Sequence, residues 1–237
     1  MPHLEAIIGH RGAAGCAPEN TLASLREAAR QGAHWVEFDV KLSRDGVPVL
    51  FHDERLERTT NGRGRLSRLS LAELRRLDAG GGETVPTLAE AMDLLRLLDM
   101  GANVELKPCP GREVETARAA AAVLAGTPVP VLLSSFSEAA LAAVPDWPLA
   151  LVVGRIPADW RSRLERLGAR ALHCRQGDLR RRQVEEVRTA GLSLRCYTVN
   201  DPARARRLLD WGVVSVFTDF PGRLLEAIGR SPVPAPS

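Results

Sequence analysis

Short apolar, β-branched runs alternate along this chain with longer amphipathic stretches, and that alternation admits few folds. The strand-like runs are 6–9, 35–42, 47–52, 103–107, 131–134, 149–153, 171–174, 194–199 and 214–218. Helical periodicity fits 21–31, 70–77, 87–99, 112–124, 137–143, 158–167, 180–190 and 202–211. A repeated strand–helix order is the pattern of a parallel sheet covered by helices. The chain has 237 residues, 45% of them hydrophobic, and a single (β/α)₈ (TIM) barrel needs roughly 250. No stretch reads as a linker. Residues 1–230 are therefore expected to be one barrel domain, and the proline-rich 231–237 a disordered tail.

Nine strands are one too many for such a barrel. The connection between 35–42 and 47–52 is Ser43-Arg44-Asp45-Gly46, and Asp-Gly is a hairpin turn signal. Parallel neighbours need a crossover of about a dozen residues, so these two strands must be antiparallel. The second barrel strand is thus expected to overshoot the rim and fold back, leaving eight parallel strands. A two-residue loop would set His52 opposite Asp39, and a four-residue loop would set it opposite Glu37. Either register puts His52 on the face of both carboxylates, whereas a three-residue loop would turn it away. Residues 53–86 are then a Gly- and Arg-rich insertion over the C-terminal face of the barrel.

Barrel active sites lie at the C-terminal ends of the strands, and here those ends are unusual. The first strand ends Gly9-His10-Arg11-Gly12; the second reads Glu37-Phe38-Asp39-Val40-Lys41; the return strand ends Phe51-His52-Asp53; the next reads Asn103-Val104-Glu105-Leu106-Lys107. Alternation puts Glu37, Asp39 and Lys41 on one face, and Glu105 and Lys107 likewise. Lys41 and Lys107 are the two lysines among 32 basic residues, a sign that arginine does not fit there. Glu37-x-Asp39 alone is a common surface-strand pattern and a lone His10 is more often structural, but three acids and both lysines at positions that Val, Ile and Leu usually fill are not explained by a core. Three converging carboxylates without cysteine make an oxygen-rich site suited to one Mg²⁺ or Ca²⁺. Lys41, Lys107 and Arg11 suit phosphate oxygens. His10 and His52 can serve as base and acid near neutral pH. Together these describe phosphoryl transfer.

Other classes are disfavoured. The net charge is +3, too small for nucleic-acid binding by bulk electrostatics. Cys16, Cys109, Cys174 and Cys196 form no C-x-x-C and fit a reducing cytosol. There is no signal-peptide pattern and no apolar run of about 18 residues. A cytoplasmic protein without stable membrane insertion is expected, of unspecified oligomeric state.

In this order the motifs resemble the glycerophosphodiester phosphodiesterase family, in its soluble bacterial form. They are His10-Arg11-Gly12, Ala17-Pro18-Glu19-Asn20-Thr21, Glu37-Phe38-Asp39-Val40, Asp45-Gly46, His52-Asp53, Arg58-Thr59-Thr60-Asn61-Gly62, Glu105-Leu106-Lys107, Leu133-Ser134-Ser135-Phe136, Tyr197-Thr198-Val199-Asn200 and Thr218-Asp219. The resemblance implies hydrolysis of small glycerophosphodiesters to glycerol 3-phosphate and an alcohol. It implies catalytic His10 and His52, a divalent metal on Glu37, Asp39 and Glu105, and Arg11, Asn20 and Lys107 near the phosphate. Lys41, Phe136, His173 and Tyr197 are further pocket candidates, His173 at the mouth. One departure is the stretch 78–86, shorter and less aromatic than the family often carries, which bears on the alcohol side. The alternatives are a lysophospholipase D, which would need an apolar lip at the barrel mouth, and a non-catalytic barrel that binds phosphodiesters.

Overall fold

The computed structural model describes residues 6–229; the expected tail at 231–237 lies outside them. The strands are β1 (Ile7–Gly9), β2 (Trp35–Leu42), β3 (Pro48–Leu50), β4 (Gly101–Leu106), β5 (Val131–Ser135), β6 (Leu149–Val153), β7 (Ala171–Arg175), β8 (Ser193–Tyr197) and β9 (Ser215–Thr218). The helices are α1 (Leu22–Arg30), α2 (Leu71–Leu74), α3 (Leu88–Leu97), α4 (Glu113–Leu124), α5 (Glu138–Ala142), α6 (Trp160–Leu167), α7 (Arg181–Thr189), α8 (Pro202–Asp210) and α9 (Pro221–Gly229). All strands but β3 run parallel, each beside the next, and β1 closes the ring by pairing with both β9 and β2. The fold is the expected TIM barrel, with β3 folded back antiparallel on β2.

Helix starts follow from capping. Thr21 accepts a hydrogen bond from the backbone N–H of Ser24 to open α1, and Thr87 accepts one from Glu90 while Glu90 answers to the Thr87 N–H in α3. Asp201 caps α8, with Pro202 in the first turn, where its missing N–H costs nothing. The chain alternation at 214–218 does not end the fold, because α9 follows it. The Pro221-Gly222 opening of α9 reads as a turn in sequence, yet Leu224 is buried and Leu225 and Ile228 pack on the core.

Three apolar clusters divide the labour. The largest lies between barrel and helices. A second, of Ile8, Trp35, Leu132, Ala150, Ala171 and Phe217, plugs the lower barrel. A Cβ on Gly101 would meet the Trp35 ring at 2.4 Å, so the indole has its room because β4 begins with glycine. The third cluster, Val49, Phe51, Leu56, Leu66, Leu74 and Val85, gives the 53–86 insertion a small core of its own above the rim.

The hairpin forms in a different register from those expected. The pairs are Val40–Leu50, Lys41–Val49 and Leu42–Pro48, the Ser43 N–H donates to the Val47 carbonyl, and Gly46 has φ +81°. This is the three-residue loop, with glycine in the left-handed position that closes it. It sets Phe51, not His52, beside Asp39, and the Phe51 N–H donates to the Asp39 carbonyl. Phe51 turns into the insertion core. His52 nevertheless lines the pocket, since the pairing with β2 ends at that Phe51 bond and the chain is no longer strand at His52.

Candidate active site

A pocket of about 270 Å³ opens at the C-terminal end of the barrel. Its walls include His10, Arg11, Glu37, Asp39, His52, Glu105 and Lys107. The first strand delivers His10 at its end; the bonds that hold the following turn involve Arg11, at φ 50°. That conformation points the Arg11 N–H at Glu37 Oε2, 3.0 Å away.

Glu37, Asp39 and Glu105 are in phase on paired strands, Asp39 lying directly beside Glu105, and each offers an oxygen within 4.8 Å of the others. Burial and the neighbouring Asp39 charge push the carboxyls of Glu37 and Glu105 up. Burial also raises Asp39, but Lys107 and Arg11 outweigh it and hold the group below the usual carboxylate range. Lys107 Nζ lies 3.2 Å from Asp39 Oδ1 and 3.1 Å from Glu105 Oε1, and Arg11 Nε lies 3.3 Å from Asp39 Oδ2. Three carboxylates that repel one another fit a hard dication: the donors are all oxygen, and added positive charge would relieve the repulsion.

Each histidine is oriented by an aspartate. His10 Nδ1 lies 2.7 Å from Asp219 Oδ1, and His52 Nδ1 lies 2.5 Å from Asp53 Oδ1. Both aspartates are held low. Burial raises them, but hydrogen bonds from His10 and Asn200 outweigh it for Asp219, and those from Arg58 and His52 for Asp53. An ionised carboxylate can only accept, so each Nδ1 carries a proton and donates it, leaving Nε2 for the pocket. His10 Nε2 is 3.9 Å from Glu37 Oε2. Burial lowers both histidines, but the Asp219 bond and the Glu37 charge bring His10 out raised, whereas at His52 the cations Arg11 and Lys107 leave it lowered.

Further hydrogen bonds and ion pairs hold these aspartates in place. Asn200 Nδ2 donates to Asp219 Oδ2 at 2.7 Å, and the Asp219 N–H donates back to Asn200 Oδ1. Arg58 bridges Asp53 (2.5 Å) to Glu19 (2.6 Å), and Glu19 in turn holds Arg11 at 2.7 Å. Asp219, Asn200, Asp53, Arg58 and Glu19 have no assigned role in the sequence reading, although all fall in its motifs. The available signal is a carboxylate at a strand end or directly after a histidine.

The remaining candidates are spread out. Asn20 is buried behind Asp39, donating to its Oδ2 and accepting from its backbone N–H, both at 3.0 Å. Lys41 lies behind the site rather than in the pocket, and its ammonium donates to the Lys107 carbonyl at 2.9 Å. Phe136 stands at the rim, 49% exposed, with Lys107 5.7 Å above its ring and Tyr197 edge-on. Tyr197 lines the pocket and donates to the Val153 carbonyl. His173, expected at the mouth, lies instead in the floor, buried beside Phe217, because its strand continues two residues further, to Arg175. Directly paired with it across β7 and β8, Arg195 is buried with no hydrogen bond at Nε or Nη1, and burial lowers it to about 10. In sequence this arginine looks like an ordinary surface residue.

Comparison with known proteins supplies relatives. The model of the glycerophosphoryl diester phosphodiesterase family matches residues 10–223. A glycerophosphodiester phosphodiesterase of Bacillus subtilis (strain 168) is 34% identical over 252 aligned residues, covering 93% of this chain and 85% of its own. One from Caldanaerobacter subterraneus is 32% identical, over 94% of this chain and 98% of its own. Among solved structures, a phosphodiesterase of Oleispira antarctica, in complex with the product sn-glycerol 3-phosphate, superposes with a TM-score of 0.93 at 43% identity, covering 95% of this chain and 97% of its own. A glycerophosphodiester phosphodiesterase of Agrobacterium tumefaciens gives 0.77 at 29% identity, covering 94% and 100%.

Proposed function

The chain belongs to the glycerophosphoryl diester phosphodiesterase family, and from that premise we propose that it hydrolyses glycerophosphodiesters to glycerol 3-phosphate and an alcohol, using one divalent cation and the pair His10 and His52. The observation that carries the reading is the paired orientation of the histidines: each has its Nδ1 on an aspartate and its other nitrogen toward one pocket. The product bound to the Oleispira antarctica relative supports the same reaction.

Glu37, Asp39 and Glu105 would hold the cation, Mg²⁺ or Ca²⁺. When bound, it polarises the phosphate and offsets the charge that builds on its oxygens. Arg11 and Lys107 already face the pocket from Asp39 and bind the phosphate oxygens not used by the metal. Asn20 serves them indirectly, by fixing Asp39. One histidine takes a proton from the attacking hydroxyl or water, and the other delivers one to the departing alcohol oxygen. Asp53 and Asp219 fix the tautomers and stabilise the imidazolium that forms. The floor of Val152, His173 and Phe217 limits the depth to which the glycerol end can enter, and Phe136 and Tyr197 flank it.

His10→Ala and His52→Ala should each abolish glycerophosphocholine turnover, measured by coupled detection of glycerol 3-phosphate, with circular dichroism unchanged. Full activity in either variant would remove that histidine from the mechanism. EDTA should silence the wild type, and Mg²⁺ or Ca²⁺ should restore it. A lysophospholipase D reading gains no support, since among the described residues Phe136 is the one large exposed hydrophobic that lines the pocket. No helix among those residues is long and apolar enough to cross a membrane.

A further inference from the structure

Two thiols meet on the outer side of the barrel wall, in a place the hydrolytic residues do not use. Cys174 on β7 and Cys196 on β8 are direct partners across the ladder. Their sulfurs lie 3.9 Å apart, within reach of an S–H···S hydrogen bond. Both are free thiols, and both belong to the apolar cluster between strands and helices. The pair is hidden in sequence by a separation of 22 residues, and strand pairing creates it. Alternation sets the side each takes. His173 and Arg175, on either side of Cys174, line the active-site pocket, as does Tyr197, the residue after Cys196.

The spacing suits a covalent bond. Direct partners on neighbouring strands stand about one strand spacing apart, roughly 4.8 Å, inside the roughly 4.4–6.8 Å between α-carbons that a disulfide spans. The sulfurs need only close from 3.9 Å to about 2.05 Å. Their surroundings differ. Cys174 forms part of the wall of a cleft of about 840 Å³ beside the end of β7, so an oxidant in solvent approaches it from there. Cys196 is fully buried and does not line that cleft. The hydrogen bond to Cys174, with burial behind it, pushes the Cys196 thiol up, so it keeps its proton until it reacts. The apolar layer also sets where oxidation stops. A disulfide carries no charge and no unmet donor, whereas a sulfinate would bury an unpaired charge.

We propose that Cys174 and Cys196 form a redox-modification site: a hydroperoxide converts the pair to a disulfide, and the disulfide slows the hydrolysis proposed above, on which this second half rests. The Cys174 sulfur attacks the terminal peroxide oxygen and the O–O bond breaks. Cys174 becomes a sulfenic acid, and the other oxygen leaves with the thiol proton as water or an alcohol. The Cys196 sulfur then displaces the sulfenic hydroxyl, which leaves as water with the Cys196 proton. The two sulfurs are oxidised and the peroxide is reduced. Closing the sulfurs draws β7 against β8, and close packing passes the shift to His173, Arg175 and Tyr197 in the pocket wall. Misplacement by about 1 Å near reacting groups costs up to about 10²-fold in rate.

The test treats the whole protein with hydrogen peroxide, caps the remaining thiols with N-ethylmaleimide, and maps peptides without reduction while glycerophosphocholine turnover is followed. A peptide pair joined through Cys174 and Cys196 should appear, turnover should fall by roughly tenfold, and dithiothreitol should reverse both. Cys196→Ala should begin near wild-type turnover and keep it under peroxide. Cys16→Ser, which removes the exposed thiol, should respond as the wild type does. Recovery of Cys174 and Cys196 as capped thiols, or only as sulfinic and sulfonic acids, would overturn the site without needing a variant to fold. A joined pair with turnover unchanged, or a loss of turnover that persists in Cys196→Ala, would overturn its control of the pocket. No turnover by the reduced protein would overturn the hydrolase reading and that control together, while the peptide map would still decide whether the bond forms.

Discussion

At the scale of single residues, the site works by holding imidazoles rather than by crowding them. Asp219 accepts the hydrogen bond from His10 Nδ1–H, accepts another from the Asn200 amide, and donates its own backbone N–H to Asn200 Oδ1. Asp219→Asn keeps the shape but can donate to the ring, which favours the wrong tautomer. It should lower kcat by about 10⁴-fold, as the same change at a histidine-orienting carboxylate does elsewhere, with an unchanged far-ultraviolet spectrum; kcat within threefold of wild type would show that Asp219 does not set the tautomer. The lysines show why arginine is absent from two positions. Lys41 ends on a carbonyl and Lys107 sits between two carboxylates on paired strands, places that take a compact ammonium and not a planar fork.

At the scale of the element, the hairpin and its insertion bring the second histidine. Asp53, Arg58 and Glu19 tie the start of the insertion to the loop after β1. Burial raises the Asp53 carboxyl, but hydrogen bonds from Arg58 and His52 outweigh it and hold it at about 2. A carboxyl lowered on folding contributes stability above its unfolded value, and that contribution is lost as pH falls through the folded one. Asp53→Asn should therefore cost about 1 kcal/mol near neutrality, a Tm gap of about 2–4 °C. The gap should close as pH is lowered from about 4 to 2; thermal melts across that range check it, and a constant gap would mean that the ion pair is not its source. The same element marks the boundary of what sequence reveals. Strand and helix positions are legible because periods of two and 3.6 are local, and Glu37, Asp39 and Glu105 are legible because alternation phases them. The hairpin register is not, because Asp45-Gly46 fits several loop lengths; Gly46 is left-handed but Asp45 is not, which excludes the two-residue type I′ turn. Partners such as His10 and Asp219, 209 residues apart, leave no local pattern. Arg195 sits in Ser-Leu-Arg-Cys-Tyr, whose alternation gives two faces without saying which is inside.

At the scale of the molecule, the barrel accepts a cost at its upper end. Burial and the Asp39 charge raise Glu37, so this carboxylate destabilises the metal-free fold at neutral pH. Saturating Ca²⁺ or Mg²⁺ at about 100 times Kd should add about 2.7 kcal/mol, raising Tm by about 5–10 °C, and EDTA should reverse it. Glu37→Gln should raise the Tm of the metal-free protein and abolish most of the metal-induced shift. A shift of wild-type size in that variant, read by calorimetry, would exclude Glu37 as a ligand. Ring closure has a consequence for how the protein is made. Of the barrel strands, β1 is synthesised first, and its neighbour β9, which carries the chain directly into Asp219, is synthesised last. A ribosome has therefore released His10, His52 and all three carboxylates long before the residue that orients His10 exists. A nascent or prematurely terminated chain can carry all three carboxylates of the candidate metal site and still lack the aspartate on His10, so on the proposed mechanism phosphodiester cleavage switches on only once translation has passed β9 and Asp219.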